Sequence, residues 1–522
     1  MARYLLNRVL RGIVSIILVV AIIMLLIYSL MDKQLVFAQD SVYRQITSNQ
    51  KTAYKYRRWA DFGYYDTVFY GDYIIELVNS GELSVEDRAS AGTVGDTPAK
   101  DNPLAREYIK RFTEKYEAQG YTVERLNAVM NGNKYANGGN PQLFAYKATP
   151  LLRRLWNYFS RIVTIDSVRY AKGDIENRGI TFTWFDPVYG GEKFSPAIIG
   201  NGTKYKYLLY FDSQFPYVHQ NVVTINLGVS YSVNKGVDVF ETMTVTQGAY
   251  VSTMTTYPTG YTELSADDLH TARYVQNSLS KSDFYRARFV DDYTNTVTVK
   301  SGFSKMGYSF VIGIIAVLMA YFLGLPLGVI MARNKDKLID HIGTVYIVFI
   351  IAVPSLAYIF LFKAIGGKIG LPTSFKMDSR SKLMYILPIV SLALPSIANL
   401  MKWLRRFMID QMNSDYVKFA RSGGLSEGEI FSKHILKNAA IPIVHGIPAS
   451  VLGALVGAII TERVYVVPGA GNLLTQAINM YDNNVIVGVS LFYAVLNVLS
   501  IIIGDLLMSM VDPRISFTTR GR

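Results

Sequence analysis

The sequence predicts a membrane all-α bundle of six transmembrane helices, with a large extracellular α+β domain inserted between helices 1 and 2. Three observations predict it. Six apolar runs approach bilayer length, about 270 residues of ordinary globular composition separate the first two, and basic residues gather on one side of the runs. The 522-residue chain is 50% hydrophobic, high for a soluble protein of this size.

Residues 1–11 carry Arg3, Arg8 and Arg11 and precede the first span at 12–31. A cleaved signal sequence shares this basic start, and Val36-Phe37-Ala38 has small-residue cleavage character. The apolar run is longer than a signal core, which favours an uncleaved span. Later spans fall at 306–331, 343–362, 384–401, 442–460 and 485–510. A loop at 402–441, a turn at 461–484 and a tail at 511–522 complete the membrane part. Arg333, Lys335, Lys337, Arg405, Arg406, Lys418, Arg421, Lys433, Lys437, Arg514, Arg520 and Arg522 all fall on the side of the N-terminus. Both termini are therefore expected in the cytoplasm. Lys363, Lys368, Lys376, Arg380 and Lys382 run against this trend.

This topology places residues 32–305 outside the cell. Asn102-Pro103 offers a helix cap followed by proline at the first helical position. Leu104, Tyr108, Phe112 and Tyr116 repeat at helical spacing, and Gly120 stops the helix. Tyr205–Phe211, Val222–Leu227 and Thr242–Thr246 are rich in β-branched and aromatic residues and predict strands. Ala91–Pro103 and Asn131–Pro141 predict loops. Tyr205, Tyr207, Tyr210 and Tyr217 suit either strand packing or a peptide-contacting surface.

Composition removes several chemistries. The chain has no cysteine, hence no thiol nucleophile, thiolate metal site or disulfide. Its formal charge of +13 comes without a basic stripe interleaved with aromatics, so membrane topology explains it better than nucleic acid. There is no G-x-x-x-x-G-K-[ST] phosphate loop and no H-E-x-x-H zinc helix among the scattered His219, His270, His341, His434 and His445. Ser278–Lys281 and Ser379–Lys382 match S-x-x-K only at a length that arises by chance. Asp267-Asp268 and Asp291-Asp292 suit solvated turns better than a cation site. Pro326, Pro354, Pro388 and Pro395 lie in or beside spans, where they suit either kinks that free backbone groups toward a cavity or ordinary bundle packing. Asp505 lies inside the last span, two turns from Asp512, where snorkelling or pairing near the cytoplasmic surface is favoured over a role in the transport pathway.

The richest segment is DYVKFARSGGLSEGEIFSKHILKNAAIP, Asp415 to Pro442. Asn413-Ser414 offers a cap for a short helix that Gly423-Gly424 ends. Ser426 and Glu429 then form a capping box that starts a second helix, with Lys433 and Lys437 toward its C-terminal end and Pro442 opening the next span. Spacing alone leaves two readings open, a rigid bent element that transmits a push or a cover over the bundle.

Ala420, Arg421, Gly424, Leu425, Ser426, His434, Asn438, Ala439 and Pro442 resemble the EAA loop of ABC importer membrane subunits, in the form found in peptide permeases. The turn TERVYVVPGAGNLL carries Glu462, Pro468, Gly469 and Gly471 of a further motif of that family, and VDPRI carries Asp512, Pro513 and Arg514 of its closing motif. YLLNRVLRGIVSI near the N-terminus, TKYKYLLYFDSQFP and HQNVVTINLGVSY are similar to the long-loop oligopeptide permeases of the Opp/Ami type from Gram-positive bacteria. The resemblance implies the type I ABC importer permease fold and a bacterial cell-membrane location. It implies a non-enzymatic transport subunit that holds no cofactor, because ATP and Mg bind partner ATPases. The implied partners are a second homologous permease, two ATP-binding subunits, an extracellular peptide-binding lipoprotein, membrane lipid and the oligopeptide substrate. It implies ATPase coupling through Asp415, Ala420, Arg421, Gly424, Leu425, Ser426, Glu429, His434, Asn438 and Pro442. The chain departs from the family pattern in two places: Lys418-Phe419 stands where Glu-Ala is usual, and Arg463 replaces a threonine. A membrane-anchored extracellular peptide sensor or peptidase is the alternative function.

Overall fold

Long apolar helices dominate the computed structural model, which describes residues 2–94, 102–132, 134–165, 175–186, 191–211, 218–220, 223–250, 252–265, 269–275, 283–298, 300, 302–376 and 381–511. Among the described residues, five helices are long and apolar enough to cross a membrane: Leu5–Leu30, Lys305–Arg333, Lys382–Met412, Ile447–Tyr465 and Asn483–Val511. A sixth crossing arises only if Leu338–Ala352 and Ser355–Lys368, which are bent by 108° relative to each other, count as one span.

That bend divides the span expected at 343–362 at Pro354, one of the prolines suited to kink a helix. Pro354 has no N–H to give and its ring disfavours a helical conformation at the residue before it. Val353 is accordingly extended, with φ −82° and ψ 129°. The span expected at 384–401 instead runs helical to Met412. Trp403, Arg405 and Arg406 lower the hydropathy there, but charge at one end of a span does not interrupt backbone hydrogen bonding. Arg405 also neutralises a buried carboxylate. Its Nε and Nη2 donate to the two carboxylate oxygens of Asp340 at 2.5 and 2.6 Å, and Asp340 is only 2% exposed. At the other edge of the bundle Arg8 pairs with Asp505 at 2.8 Å, so the ionisable group inside the last span is paired as expected.

The bundle is held by close approach of small residues. A Cβ on Gly324 would stand 3.2 Å from the Ile397 carbonyl and 3.1 Å from Leu400 Cβ, and one on Gly328 would stand 3.3 Å from Met401 Cα. With Ala320 fully buried, the spacing Ala320-Gly324-Gly328 lets the Lys305 and Ile386 helices touch backbone to backbone. Pro326 and Pro395 lie inside these two helices.

By compactness the chain divides into Met24–Ser160 and a second unit of Met1–Ile23 with Arg161–Arg522. The segment read as one domain at 32–305 therefore divides at Ser160. In Met24–Ser160 an antiparallel sheet places Gln142–Ala148 between Tyr65–Phe69 and Thr122–Leu126, with Phe144 opposite Phe69 on one side and Glu124 on the other. The helix Pro103–Ala118 starts as its sequence predicts, Asn102 accepting from the Ala105 N–H, and buries Tyr108, Phe112 and Tyr116 against Tyr70, Tyr73 and Leu143. Val36 and Phe37, the cleavage-site residues of the signal reading, are buried here. A short hairpin, Met130–Asn131 with Lys134–Tyr135, occupies part of the loop expected at 131–141.

In the other unit, strands Val218–Gln220, Tyr207–Phe211, Ala197–Asn201 and Gly179–Thr183 form an antiparallel sheet in that order. Val223–Ile225 pairs with Val163–Ile165. The strand expected at Thr242–Thr246 is instead a helix, Val239–Thr244. Asp238 accepts from the Phe240 and Glu241 N–H groups, and burial of Val239 and Met243 on one face outweighs β propensity. Tyr207 is buried and Tyr210 stacks on His270 at 4.2 Å, so these two tyrosines pack the domain. Asp291 accepts from Lys206 and Thr294, and Asp292 faces Arg286. Tyr217, Asp267, Asp268, Ser278 and Ser379 lie outside the described residues.

Leucine at Gly324 forces the Lys305 and Ile386 helices apart and is expected to destabilise the protein by about 1–3 kcal/mol. Gly71→Ala, where an added Cβ meets nothing within 4 Å, is expected to leave stability the same or slightly higher. Thermal unfolding of both purified variants in detergent checks the contrast.

Candidate functional site

The helix Asp415–Ser422 follows Ser414, whose side chain makes no capping bond to it and donates instead to the Gln411 carbonyl at 2.5 Å. It ends in a Schellman motif. The Leu425 N–H bonds the Ala420 carbonyl at 3.2 Å and the Gly424 N–H bonds that of Arg421 at 3.0 Å. This closure needs a left-handed residue, and Gly424 supplies it with φ +78°. A Cβ there would touch nothing within 4 Å, so the glycine is required by backbone conformation and not by space.

Arg421 spans the bend. Its Nε and Nη2 donate to the two oxygens of Glu427 at 2.6 and 3.1 Å. The capping box is complete: the Glu429 N–H donates to Ser426 Oγ, and the Ser426 N–H donates to the Glu429 carboxylate, both at 3.3 Å. The Arg421 guanidinium holds Glu427 below the usual glutamate range. The Ser426 hydroxyl, then Lys433, does the same for Glu429. A lowered carboxylate pKa contributes fully above the unfolded value and is lost as pH falls through the folded one, so both contacts are complete at neutral pH.

Beyond Glu429 the expected regular helix becomes a π-helix, Ile430–Leu436. Ile430 and Ile435 are five residues apart and both buried, which the wider i to i+5 turn permits. They join Val417, Ala439 and Ile443 in one apolar cluster with Ala332, Leu404 and Met408 from the ends of the Lys305 and Ile386 helices. His434 and Asn438 are half-buried beside this cluster. The opposite face carries Phe419, 79% exposed, with Leu425 and an exposed Lys418–Asp415 pair. Pro442 does not open the next span. It lies inside helix Lys437–His445, and the break comes at Gly446, before Ile447–Tyr465. The helix continues from the capped start at Ser426, so Pro442 falls in its interior.

The second motif is a buried knot. Glu462 is fully buried; its carboxylate accepts from Ser309 Oγ at 2.5 Å, from the Asn472 N–H at 3.0 Å, and from the Gly471 N–H. Ser309 Oγ in turn accepts from the Ala470 N–H at 2.8 Å. Val466 ends the Ile447 helix at φ +58°, a conformation costly for a β-branched residue, and Pro468 follows. Gly469 is required because a Cβ there would lie 2.2 Å from the Glu462 carboxyl carbon; one on Gly471 would lie 2.6 Å from Ile459 Cα. Arg463, the departure from the family pattern, donates to Asn472 Oδ1 at 3.3 Å and so braces the same turn. Glu462, Pro468, Gly469 and Gly471 thus form one structural device, whereas Asp512, Pro513 and Arg514 lie outside the described residues.

Sequence reasoning missed three partners. Ser309 and Asn472 complete the Glu462 knot, and Asp482 builds another. Asp482 Oδ2 accepts from Ser230 Oγ at 2.6 Å and from the N–H groups of Tyr231, Ser232 and Val233 at 2.9, 2.9 and 3.1 Å. The end of the HQNVVTINLGVSY segment is thereby clamped to the start of the Asn483 helix. Long sequence separation hides such a contact; its local trace is an aspartate before a helix, the ordinary sign of a cap.

A cavity of about 340 Å³ opens between the Lys305, Ile386 and Ile447 helices. Tyr321, Ser396, Asn399 and Ser450 give it a polar side, and the Tyr321 and Ser450 hydroxyls lie 3.2 Å apart. Among the described residues no cluster of three or more His, Asp or Glu side chains is placed to hold a metal ion.

The family model for binding-protein-dependent transport system inner membrane components matches residues 324–517. Over 534 aligned residues, spanning 100% of both chains, the sequence is 34% identical to the oligopeptide transport system permease protein AmiC of Streptococcus pneumoniae. It is 30% identical to the dipeptide transport system permease protein DppB of Bacillus subtilis, over 41% of this chain and 69% of that one. Among solved structures, an amino acid ABC transporter with histidines aligns at 17% identity and a TM-score of 0.32, over 40% of this chain and 92% of that chain.

Gly469→Ala drives a methyl group into the Glu462 carboxylate, and Glu462→Ala leaves three donors facing a cavity. Each is expected to cost about 2–4 kcal/mol, with Glu462→Gln costing less because an amide oxygen still accepts. Thermal stability of the three purified variants checks this order.

Proposed function

Because the chain belongs to the family of binding-protein-dependent transport system inner membrane components, we propose that it forms half of the translocation pathway of an ATP-driven oligopeptide importer. It is a multi-pass membrane protein with the permease fold of that family and several apolar helices, and it is a permease subunit of a peptide importer. It is a transport subunit and not an enzyme; ATP hydrolysis lies in partner chains. Importers of this family work with ATPase subunits and a substrate-binding protein. The full-length likeness to a permease disfavours a membrane-anchored sensor or peptidase.

On the proposed arrangement the partners are a second, homologous permease subunit, two ATP-binding subunits that hold ATP and Mg, and an extracellular peptide-binding lipoprotein. Six spans put both termini in the cytoplasm and residues 32–305 outside. The Asp415–Pro442 segment then faces the ATPase. Closure of the ATPases on ATP pushes it and tilts the Lys305 and Ile386 helices, in an alternating-access cycle that opens the cavity outward to receive peptide. The polar side of that cavity, Tyr321, Ser396, Asn399 and Ser450, offers hydrogen bonds to a peptide backbone.

One observation carries the coupling role. The segment is capped on both sides of a glycine bend, its apolar side is sunk into the ends of two membrane helices, and Phe419 and Leu425 are left exposed. A mere cover has no need of a rigid bend or of exposed apolar side chains on its far side.

At φ +78° any residue other than glycine is strained by about 1–2 kcal/mol, asparagine least. Gly424→Val is therefore expected to lower both labelled-peptide uptake and ATPase co-purification severalfold, with Gly424→Asn intermediate. Unchanged uptake and co-purification in Gly424→Val would contradict the coupling role.

A further inference from the structure

We propose that the helix Leu151–Arg161 lies flat in the lipid interface at the Leu30 end of the first membrane helix, as a second attachment of the Met24–Ser160 unit to the bilayer. Its sequence LLRRLWNYFSR separates cleanly at helical spacing. Leu151, Leu152, Leu155, Trp156 and Phe159 share one side, and Arg153, Asn157 and Arg161 share the other. A helix of this pattern in a soluble domain buries its apolar side. Here none of its residues is buried, and Leu152 and Trp156 are 79% and 73% exposed.

The level of this helix is fixed by a contact inside its own unit. Arg154 stands over the ring of Tyr28 at 4.9 Å and over that of Tyr64 at 5.0 Å, and donates to the Tyr64 carbonyl at 2.7 Å. Tyr28 lies in the last turn of the Leu5–Leu30 span and meets Tyr64 edge-on at 5.0 Å. Tyrosine at the end of a span belongs at the headgroup level, with its ring among acyl chains and its hydroxyl in water. A helix locked to that tyrosine through an arginine is held at the same depth.

Lipid is the occupant that fits. The span's last turns expose Leu25, Leu26 and Leu30 in the same unit, the surface that a bilayer covers. Leucine and tryptophan on one side with arginines on the other is the composition of helices that rest in an interface, apolar side among the acyl chains and guanidinium groups among phosphates. Only a membrane crossing by the first helix is required, so the interfacial helix stands apart from the transport reading.

The chain has no cysteine, so single labels can be placed without background. Leu152→Cys, Trp156→Cys and, on the polar side, Arg153→Cys are each coupled to a fluorophore in the full-length protein. The protein is held in nanodiscs of phosphatidylcholine and phosphatidylglycerol. Lipid nitroxides high on the acyl chain are expected to quench the labels at 152 and 156 at least about threefold more than the label at 153, with aqueous iodide showing the reverse order. Two results overturn the proposal: iodide reaching 152 and 156 as readily as 153, or labels at 152 and 156 shielded from both quenchers, which would mean a protein surface covers them. The two apolar-side positions report independently, so one poorly folded variant does not remove the test.

Discussion

Burial of Val417, Ile430, Ile435 and Ile443 against Ala332, Leu404 and Met408 is the interaction on which the proposed coupling depends. Each large apolar side chain taken fully out of water contributes about 1.5–3 kcal/mol, whereas an exposed ion pair contributes about 0–1 kcal/mol. The loop is therefore held to the bundle by its apolar underside. Of its charged pairs, Arg421 with Glu427 braces the bend and Lys433 with Glu429 lies along the second helix, and neither attaches the loop to the bundle. On the proposed coupling, a force on the exposed side would reach the Lys305 and Ile386 helices through these close-packed side chains. Those two helices meet at Gly324 and Gly328 with no room to yield.

The opposite end of the same bundle is fixed by different physics. Where water is scarce a carboxylate must find donors, and both Glu462 and Asp482 take most of theirs from backbone N–H groups. Glu462 binds the end of the Ile447 helix to the start of the Lys305 helix, and Asp482 binds residues 230–233 to the Asn483 helix. Apolar packing secures the end that carries the Asp415–Pro442 segment, and satisfied charge secures the opposite end.

Features encoded within four or five residues were legible in the sequence. Asn102-Pro103 starts a helix, Ser426 and Glu429 cap another, and Gly424 marks a left-handed bend, because each answers to local backbone chemistry. The paired state of Asp505 followed from the cost of an ion inside a span. What was not legible depends on contacts distant in sequence or on competition between local rules. Hydropathy windows see Gly343–Phe362 as one apolar run, and while Pro354 signals a kink there, its size, 108°, is not written in the sequence. Thr242–Thr246 is rich in threonine and valine, yet the Asp238 cap and the burial of Met243 make a helix. The π-helix at Ile430–Leu436 follows from where two isoleucines must land, and the Ser309–Glu462 bond joins residues 153 apart in the chain.

Coupling of this kind requires the Asp415–Pro442 segment to be a rigid element whose exposed side meets an ATPase while its apolar side grips the bundle. Site-specific crosslinking in the cysteine-free chain tests this most directly, with Phe419→Cys on the exposed side and Val417→Cys on the buried one. In membranes containing the whole transporter, position 419 is expected to crosslink to the ATPase subunit, with a yield that changes with nucleotide, and position 417 is expected to give no crosslink. Absence of any crosslink from 419, or equal crosslinking from both positions, would contradict that arrangement.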